Sequence, residues 1–241
     1  MTLSRASRRP TRCRRRGVGV AAVALLSLTA VSGCGSHLTP GVAATINGDT
    51  ISQDSVDSVV EAACAYTAAS AQTGAAPQPP ISLANLRSTI TQSLIQFEVT
   101  DDAATQMGLS VSPAVIATGA TQQPIPAGLD DTDADVIKGF FADFAKSSAQ
   151  IQLIGAHLAD PSITTYEQVK LDKSAQGKKY VTTYAADQDV TVNPAYGSWN
   201  GSAVAGGSGS LSDPVSDSAK ASAAGAADGA NTSSLPSSQV C

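Results

Sequence analysis

The sequence predicts a mainly α-helical domain with a small β-hairpin near its start and a short strand late in the chain. Three observations predict it. Apolar residues recur at helical spacing through most of residues 53–186. Two short runs rich in β-branched residues flank Asn47-Gly48, a pair that tolerates the positive φ of a tight hairpin turn. From Gly201 the composition shifts to Gly, Ser, Ala and Asp, which buries too little apolar surface to offset its ordering entropy. The foldable body is therefore residues 42–200, long enough for one helical core, with residues 201–241 expected to be a mostly disordered tail.

Residues 1–33 read as a signal peptide rather than as fold. Arg5, Arg8, Arg9, Arg12, Arg14, Arg15 and Arg16 form a positive segment without an acidic residue, and an apolar run follows from Val18 to Val31. The run is shorter than the roughly 20 residues a membrane-spanning helix needs. It ends in Val31-Ser32-Gly33-Cys34, which resembles the lipobox of bacterial lipoproteins. The resemblance implies cleavage before Cys34, lipidation of its thiol with acyl chains such as palmitate, and a tether over residues 34–41. The expected location is the extracytoplasmic face of a cell membrane. Each buried methylene contributes about 0.8 kcal/mol, so several chains anchor firmly.

Beyond the tether, Val42–Ile46 reads as a strand and Thr50-Ile51 as its return. Ser52 caps a first helix running to about Ser70, with Val56, Val60, Ala63 and Cys64 as its apolar stripe. Gly74 and three prolines make residues 73–81 a linker. A second helix spans Ser82 to Gly108, carrying Leu83, Leu86, Ile90, Leu94, Phe97 and Ala104 at helical spacing, with Gly108 as its terminating glycine. Ser112-Pro113 opens a short third helix to about Gln122. Asp130–Asp135 leads into the fourth and most apolar helix. Its stripe is Val136, Phe140, Phe144, Ile151, Ile154 and Leu158, widened by Phe141 and Leu153, and Pro161 stops it. A fifth helix is expected over Ser162–Ala186. Asp189–Val192 alternates like a strand, and Asn193-Pro194 turns the chain towards Tyr196, Gly197 and Trp199. Within the tail, Leu211–Val215 and Leu235–Cys241 break the polar composition.

Charge narrows the partners. Removing the seven signal arginines leaves eight basic residues against twenty acidic ones, a net −12. Such a surface argues against nucleic acid and against adhesion to anionic lipid by charge. Two cysteines remain after Cys13 leaves and Cys34 takes lipid. In an oxidising compartment Cys64 and Cys241 suggest one disulfide; two free thiols are the alternative.

Catalytic patterns do not emerge. His37 lies in the tether, and His157 near the end of the fourth helix, where a cation suits the dipole. No Gly-x-Ser-x-Gly elbow, His-Glu-x-x-His, Cys-x-x-Cys or phosphate-binding loop occurs. Asp130–Asp135 resembles half of a calcium loop but lacks the glycine and closing glutamate, so it reads as a solvated helix start. Glu98, Asp101 and Asp102 read as a wet helix face rather than an acid–base pair. No catalytic residue, metal or cofactor is assigned. Phe140 and Phe141 point in different directions from one helix, so one of them is free to line an open cleft.

The order of elements carries a resemblance. Ala44-Thr45-Ile46-Asn47-Gly48-Asp49-Thr50-Ile51-Ser52 with Val56, then Leu86, Leu94-Ile95, Ala103-Ala104 and Gly108–Ser112, is similar to the N-terminal domain of the SurA and PrsA group of extracytoplasmic chaperones. Asp189–Trp199 resembles the segment that closes the folded part of such lipoproteins. The resemblance implies a helical domain that holds unfolded or extended secreted polypeptides in an apolar cleft without ATP. The residues expected to form it are Leu86, Ile90, Leu94, Phe97, Phe140, Phe141, Phe144 and Ile151. Foldase members carry a parvulin-type prolyl isomerase domain before the last helix, and here that slot holds only the fourth helix. The leading expectation is thus a chaperone-like binding protein. The alternatives are a prolyl isomerase and an accessory lipoprotein docking one dedicated envelope partner.

Overall fold

The hairpin forms where the sequence places it. In the computed structural model, which describes residues 40–72, 80–206, 215–216, 232 and 235–241, β1 (Val42–Ile46) pairs antiparallel with β2 (Asp49–Ser52). Asn47 and Gly48 take φ of 53° and 99°, the left-handed pair that a two-residue hairpin turn requires. The late strand β3 (Val190–Val192) pairs with the other side of β1, giving the order β2-β1-β3. Asn47 and Asn193 fasten this closure. Asn47 donates to Gln188 Oε1 at 2.8 Å and accepts from the Asp189 amide, while Asn193 donates to the Val42 carbonyl at 3.1 Å. Cys34, His37, the linker over residues 73–79 and Leu211–Pro214 lie outside the described residues.

Helix ends follow local chemistry. α1 (Gln53–Gln72) starts at Ser52, whose hydroxyl accepts from the Ser55 amide at 3.0 Å. α2 (Leu83–Gln106) ends in a Schellman motif. The Gly108 amide bonds the Thr105 carbonyl, the Leu109 amide bonds that of Ala104, and Gly108 takes φ 68°. α3 (Pro113–Ala120) is capped by Ser112 with Pro in its first turn, and α4 (Asp131–Ala159) by Asp130, which accepts from Thr132 N at 2.8 Å.

α4 is the hub, touching α1, α2, α3 and the last helix, α5 (Ser174–Ala186). The core it shares with α1, α2, α5 and the sheet includes Ile46, Val56, Ile95, Val99, Leu153 and Ile154. It is built largely from small and β-branched side chains, so the elements approach closely. The closest approach is α4 on α5. A Cβ at Gly155 would lie 2.9 Å from Gly177 N, and one at Gly177 would lie 2.7 Å from the Ile151 carbonyl carbon. Only glycine allows the two backbones this spacing. The hydroxyls of Thr91 and Thr100, both on α2, are buried with no hydrogen-bond partner among the described residues.

Three expectations need correction. The fifth helix does not begin at Ser162. Asp160 accepts from the amide and hydroxyl of Ser162, Thr165 and Gln168 form a capping box around a short 3-10 turn (Tyr166–Gln168), and Asp172 accepts from Ser174 N. Polar side chains here satisfy the backbone locally and displace the helix until Ser174. Second, the chain past Gly201 holds structure: β4 (Gly197–Trp199) pairs with β5 (Val204–Gly206). Asn200 organises the turn by accepting from the Ser202 and Ala203 amides, and Gly201 supplies φ 95°. Third, the expected stripe of α4 is not buried along its whole length: Ile151 and Ile154 are buried with Ala134, Ile137, Ala149 and Leu153, whereas Phe144 and Leu158 are exposed. Residues 235–241, which the sequence sets apart from the polar tail, lie against the body, where Val240 bridges Ser82 and the Cys241 amide donates to the Ile81 carbonyl at 2.9 Å.

Candidate functional site

The expected client-binding residues divide by burial. Ile90 and Ile151 are each 5% exposed and belong to the core, where they cannot meet a client. Leu86, Leu94 and Phe140 are half-buried and packed against that core. Phe97, Phe141 and Phe144 differ. Phe144 is 53% exposed on the surface of α4. Phe97 on α2 packs against both Phe140 and Phe144, tilted to the first and edge-on to the second, with ring centroids 5.4 and 6.5 Å apart. Phe141 meets the edge of Tyr66 from α1 at 5.7 Å. These edge and tilted contacts fix the rings while leaving the outer one in solvent.

On one side of this aromatic ridge lies a groove of about 540 Å³ between α3 and α4, lined by Val115, Phe141, Phe144, Ala145, Tyr166 and Gln122 among others. Its floor is shallow because Gly119 of α3 sits directly on Ala145; a Cβ at Gly119 would come within 2.8 Å of the Ala145 methyl. Its end is set by Ser112, which caps α3 and donates its hydroxyl to Glu167 at 2.6 Å. The mixture of aromatic walls, small floor residues and glutamine or serine at the rim suits an extended peptide with an apolar side chain.

On the other side lies a smaller, polar recess of about 270 Å³ between β2, α2 and α4. Phe97, Glu98, Asp101, Asp143, Lys146 and Gln150 line it. Lys146 Nζ reaches Asp101 at 2.7 Å, and Gln150 Nε2 donates to the same oxygen at 2.6 Å. Burial pushes the Asp101 carboxyl up, but these two hydrogen bonds and the Lys146 charge outweigh it and hold it below its usual value. Burial raises Glu98, with Asp102, Asp101 and Asp49 adding repulsion. Burial also raises Asp143, against the opposing pull of Lys146. What reads as a wet face of one helix is therefore one wall of a recess whose other wall, Asp143 to Gln150, comes from α4. No spacing within α2 could have revealed it.

The remaining features have structural roles. His157 Nδ1 lies 2.8 Å from the Ile163 carbonyl, joining the end of α4 to the loop after it. Asp130, Asp131 and Asp133 sit at the start of α4, and no group of three metal-binding side chains gathers among the described residues. Cys64 and Cys241 stand at disulfide distance, with Cα atoms 5.2 Å apart across 177 positions of sequence. No described helix is long and apolar enough to cross a membrane.

No curated protein and no solved structure matches this chain. Residues 14–144 match the SurA-like N-terminal domain, a stretch covering more than half of the 241 residues. It takes in the hairpin, α1 to α3 and α4 as far as Phe144. The later segment, Asp189–Trp199, falls outside this match, although β3 closes the sheet that the matched hairpin begins. Because this match covers more than half of the chain, the chain belongs to the SurA-like N-terminal domain family.

Proposed function

We propose that this protein is a lipid-anchored, extracytoplasmic chaperone-like module that holds extended or partly folded polypeptides in the α3/α4 groove. The observation that carries the reading is Phe144, a large aromatic left 53% exposed at the lip of an apolar groove and braced from behind by Phe97. A rigid exposed aromatic presents apolar area with little further loss of side-chain freedom, the property of a binding anchor. Membership of a chaperone-type family makes polypeptides the expected ligands. The groove binds without catalysis. The segment between α4 and α5 carries one short 3-10 turn over residues 160–173, and the groove wall is aliphatic, aromatic and amide apart from the hydroxyls of Ser112, Thr118, Ser148 and Tyr166 and the Glu167 carboxylate, which Ser112 already engages. Anchoring rests on the arginine-rich start, the apolar run and Cys34.

The test is suppression of aggregation of a chemically unfolded client by the wild-type protein and by Phe144→Asp. Because Phe144 is half in solvent, the substitution should leave the melting temperature within a few degrees and abolish most of the protection. Equal protection by the folded variant would remove the groove from the reading. Acceleration of proline isomerisation at low protein concentration would instead support an enzyme. For the anchor, Cys34→Ser should release the protein from the membrane fraction, and acylation persisting in that variant would overturn it.

A further inference from the structure

Resting on the reading of the α3/α4 groove as a polypeptide site, we infer that the recess behind the aromatic ridge is a second subsite, which takes the cationic side chain of an arginine or lysine in the bound chain.

Four observations carry this. The first is charge: Glu98, Asp101 and Asp143 line the recess, Asp49 and Asp102 add to its field, and Lys146 is the single cation in its lining. The second is that an ammonium is already seated there. Lys146 bonds Asp101 at 2.7 Å, which shows the lining accepts a primary cation, and it leaves Glu98 and Asp143 without an ion pair of their own among the described residues. The third is Gln150. Its side chain lies in the recess wall, 5% exposed, with Nε2 committed to Asp101 and Oε1 buried without a partner among the described residues. That oxygen is closed to solvent as it stands, so a guanidinium or ammonium donor recovers its missing hydrogen bond once the side chain turns towards the recess. The fourth is position. Phe97 lines the recess, Phe144 lines the groove, and their rings are in contact, so the two sites share a wall. An extended chain advances about 3.3 Å per residue, so two side chains a few residues apart reach across a ridge of this width. The free edge of β2 borders the same recess through Thr50 and Ile51.

The pair of sites gives a specificity rule: an apolar residue with a basic residue close by in sequence. It predicts discrimination by position of charge and not by net charge alone.

Fluorescence anisotropy with the full-length protein tests the rule. The probes are a labelled Gly/Ser peptide carrying one Phe with Arg three residues to either side, and the same peptide with both Arg replaced by Gln. Wild-type protein should bind the Arg peptide about fivefold more tightly at physiological salt, the scale of one partly screened ion pair. Glu98→Gln with Asp143→Asn should erase the difference. Asp131→Asn, about 18 Å away along α4 at 1.5 Å per residue and beyond the screening length, should keep it. As a measurement independent of variants, the Gln150 side-chain amide resonances of wild-type protein should shift with the Arg peptide and stay still with the Gln peptide. Equal binding of both peptides overturns the subsite and leaves the groove standing. Loss of the preference in Asp131→Asn also overturns it, because a general negative field then suffices. Failure of both peptides to bind removes groove and subsite together.

Discussion

Gly177→Ala is the sharpest test of how the helices are held. An alanine in a helix interior ordinarily stabilises relative to glycine by about 1 kcal/mol. At Gly177 the new methyl would stand 2.7 Å from the Ile151 carbonyl carbon and 3.2 Å from Gly155 N, with the carbonyl oxygen nearer still. All three are backbone atoms, so no side chain can rotate away. α5 must move off α4 by about an ångström, and forced overpacking of this kind costs about 1–3 kcal/mol. It also loosens Val181 and Ala185 from the core. The net expectation is a loss of up to about 2 kcal/mol after the propensity gain, or up to roughly 8 °C in melting temperature for a domain of this size. Gly139→Ala is the matched control. It lies on α4 with nothing within 4 Å of its Cβ, so propensity acts alone and the protein should gain about 1 kcal/mol. Thermal and urea melts followed by circular dichroism read both. A Gly177→Ala protein stabilised as much as Gly139→Ala would refute the close crossing.

Reduction should lower stability by up to about 5 kcal/mol if Cys64 and Cys241 are bonded, because the closed loop is long; identical urea midpoints with and without reductant, at matched monomer concentration, would dismiss the bond. The recess should give stability an unusual pH response. Glu98, Asp102 and Asp143 have raised carboxyls, so what they contribute is present below the ordinary carboxylate range and lost as pH rises through it; Asp101 is lowered and behaves oppositely, contributing above that range and losing it in acid. Lys146→Met removes the opposing cation, so it should destabilise by about 0.5–1 kcal/mol at pH 7, both partners being well exposed, and by less at pH 4. Equal losses at the two pH values would show that Lys146 acts by packing.

What was legible in the sequence is what local chemistry decides. Asn47-Gly48 can only turn tightly, Ser52, Ser112 and Asp130 offer side-chain acceptors at helix starts, and Gly108 relieves the left-handed position after α2. Where several weak local preferences compete, the reading failed. Residues 162–173 carry helix-compatible apolar spacing, yet three separate side-chain-to-backbone motifs hold them in turns. Val204–Gly206 looks like low-complexity tail, but Asn200 and Gly201 form a turn that sets it against Trp199. The site divided in the same way. The aromatic residues of α2 and α4 were visible as candidates, whereas the meeting of Glu98 and Asp101 with Asp143 and Gln150 depends on how two helices some 45 residues apart in sequence are rotated against each other.

One helix, α4, serves both core and surface. Phe144 lies seven residues from both Ile137 and Ile151, close to their angular position on α4, yet they are buried and it is 53% exposed, so what differs is how far along the helix the neighbouring elements cover that stripe. An aliphatic stripe of this width would fold as well with a polar residue at 144. The phenylalanine is instead held out by Phe97, which belongs to a different helix and lines the acidic recess on its other side. Moving either ring therefore changes both the groove and the recess. In a fold whose interior is mostly Ala, Val, Ile and Thr, the large aromatic side chains other than the buried Tyr196 sit at the periphery of the core, where they add less to stability than they would inside it. The close-packed small residues hold the helices near enough for α2 and α4 to share a surface, and the aromatic ridge gives that surface its two unlike sides.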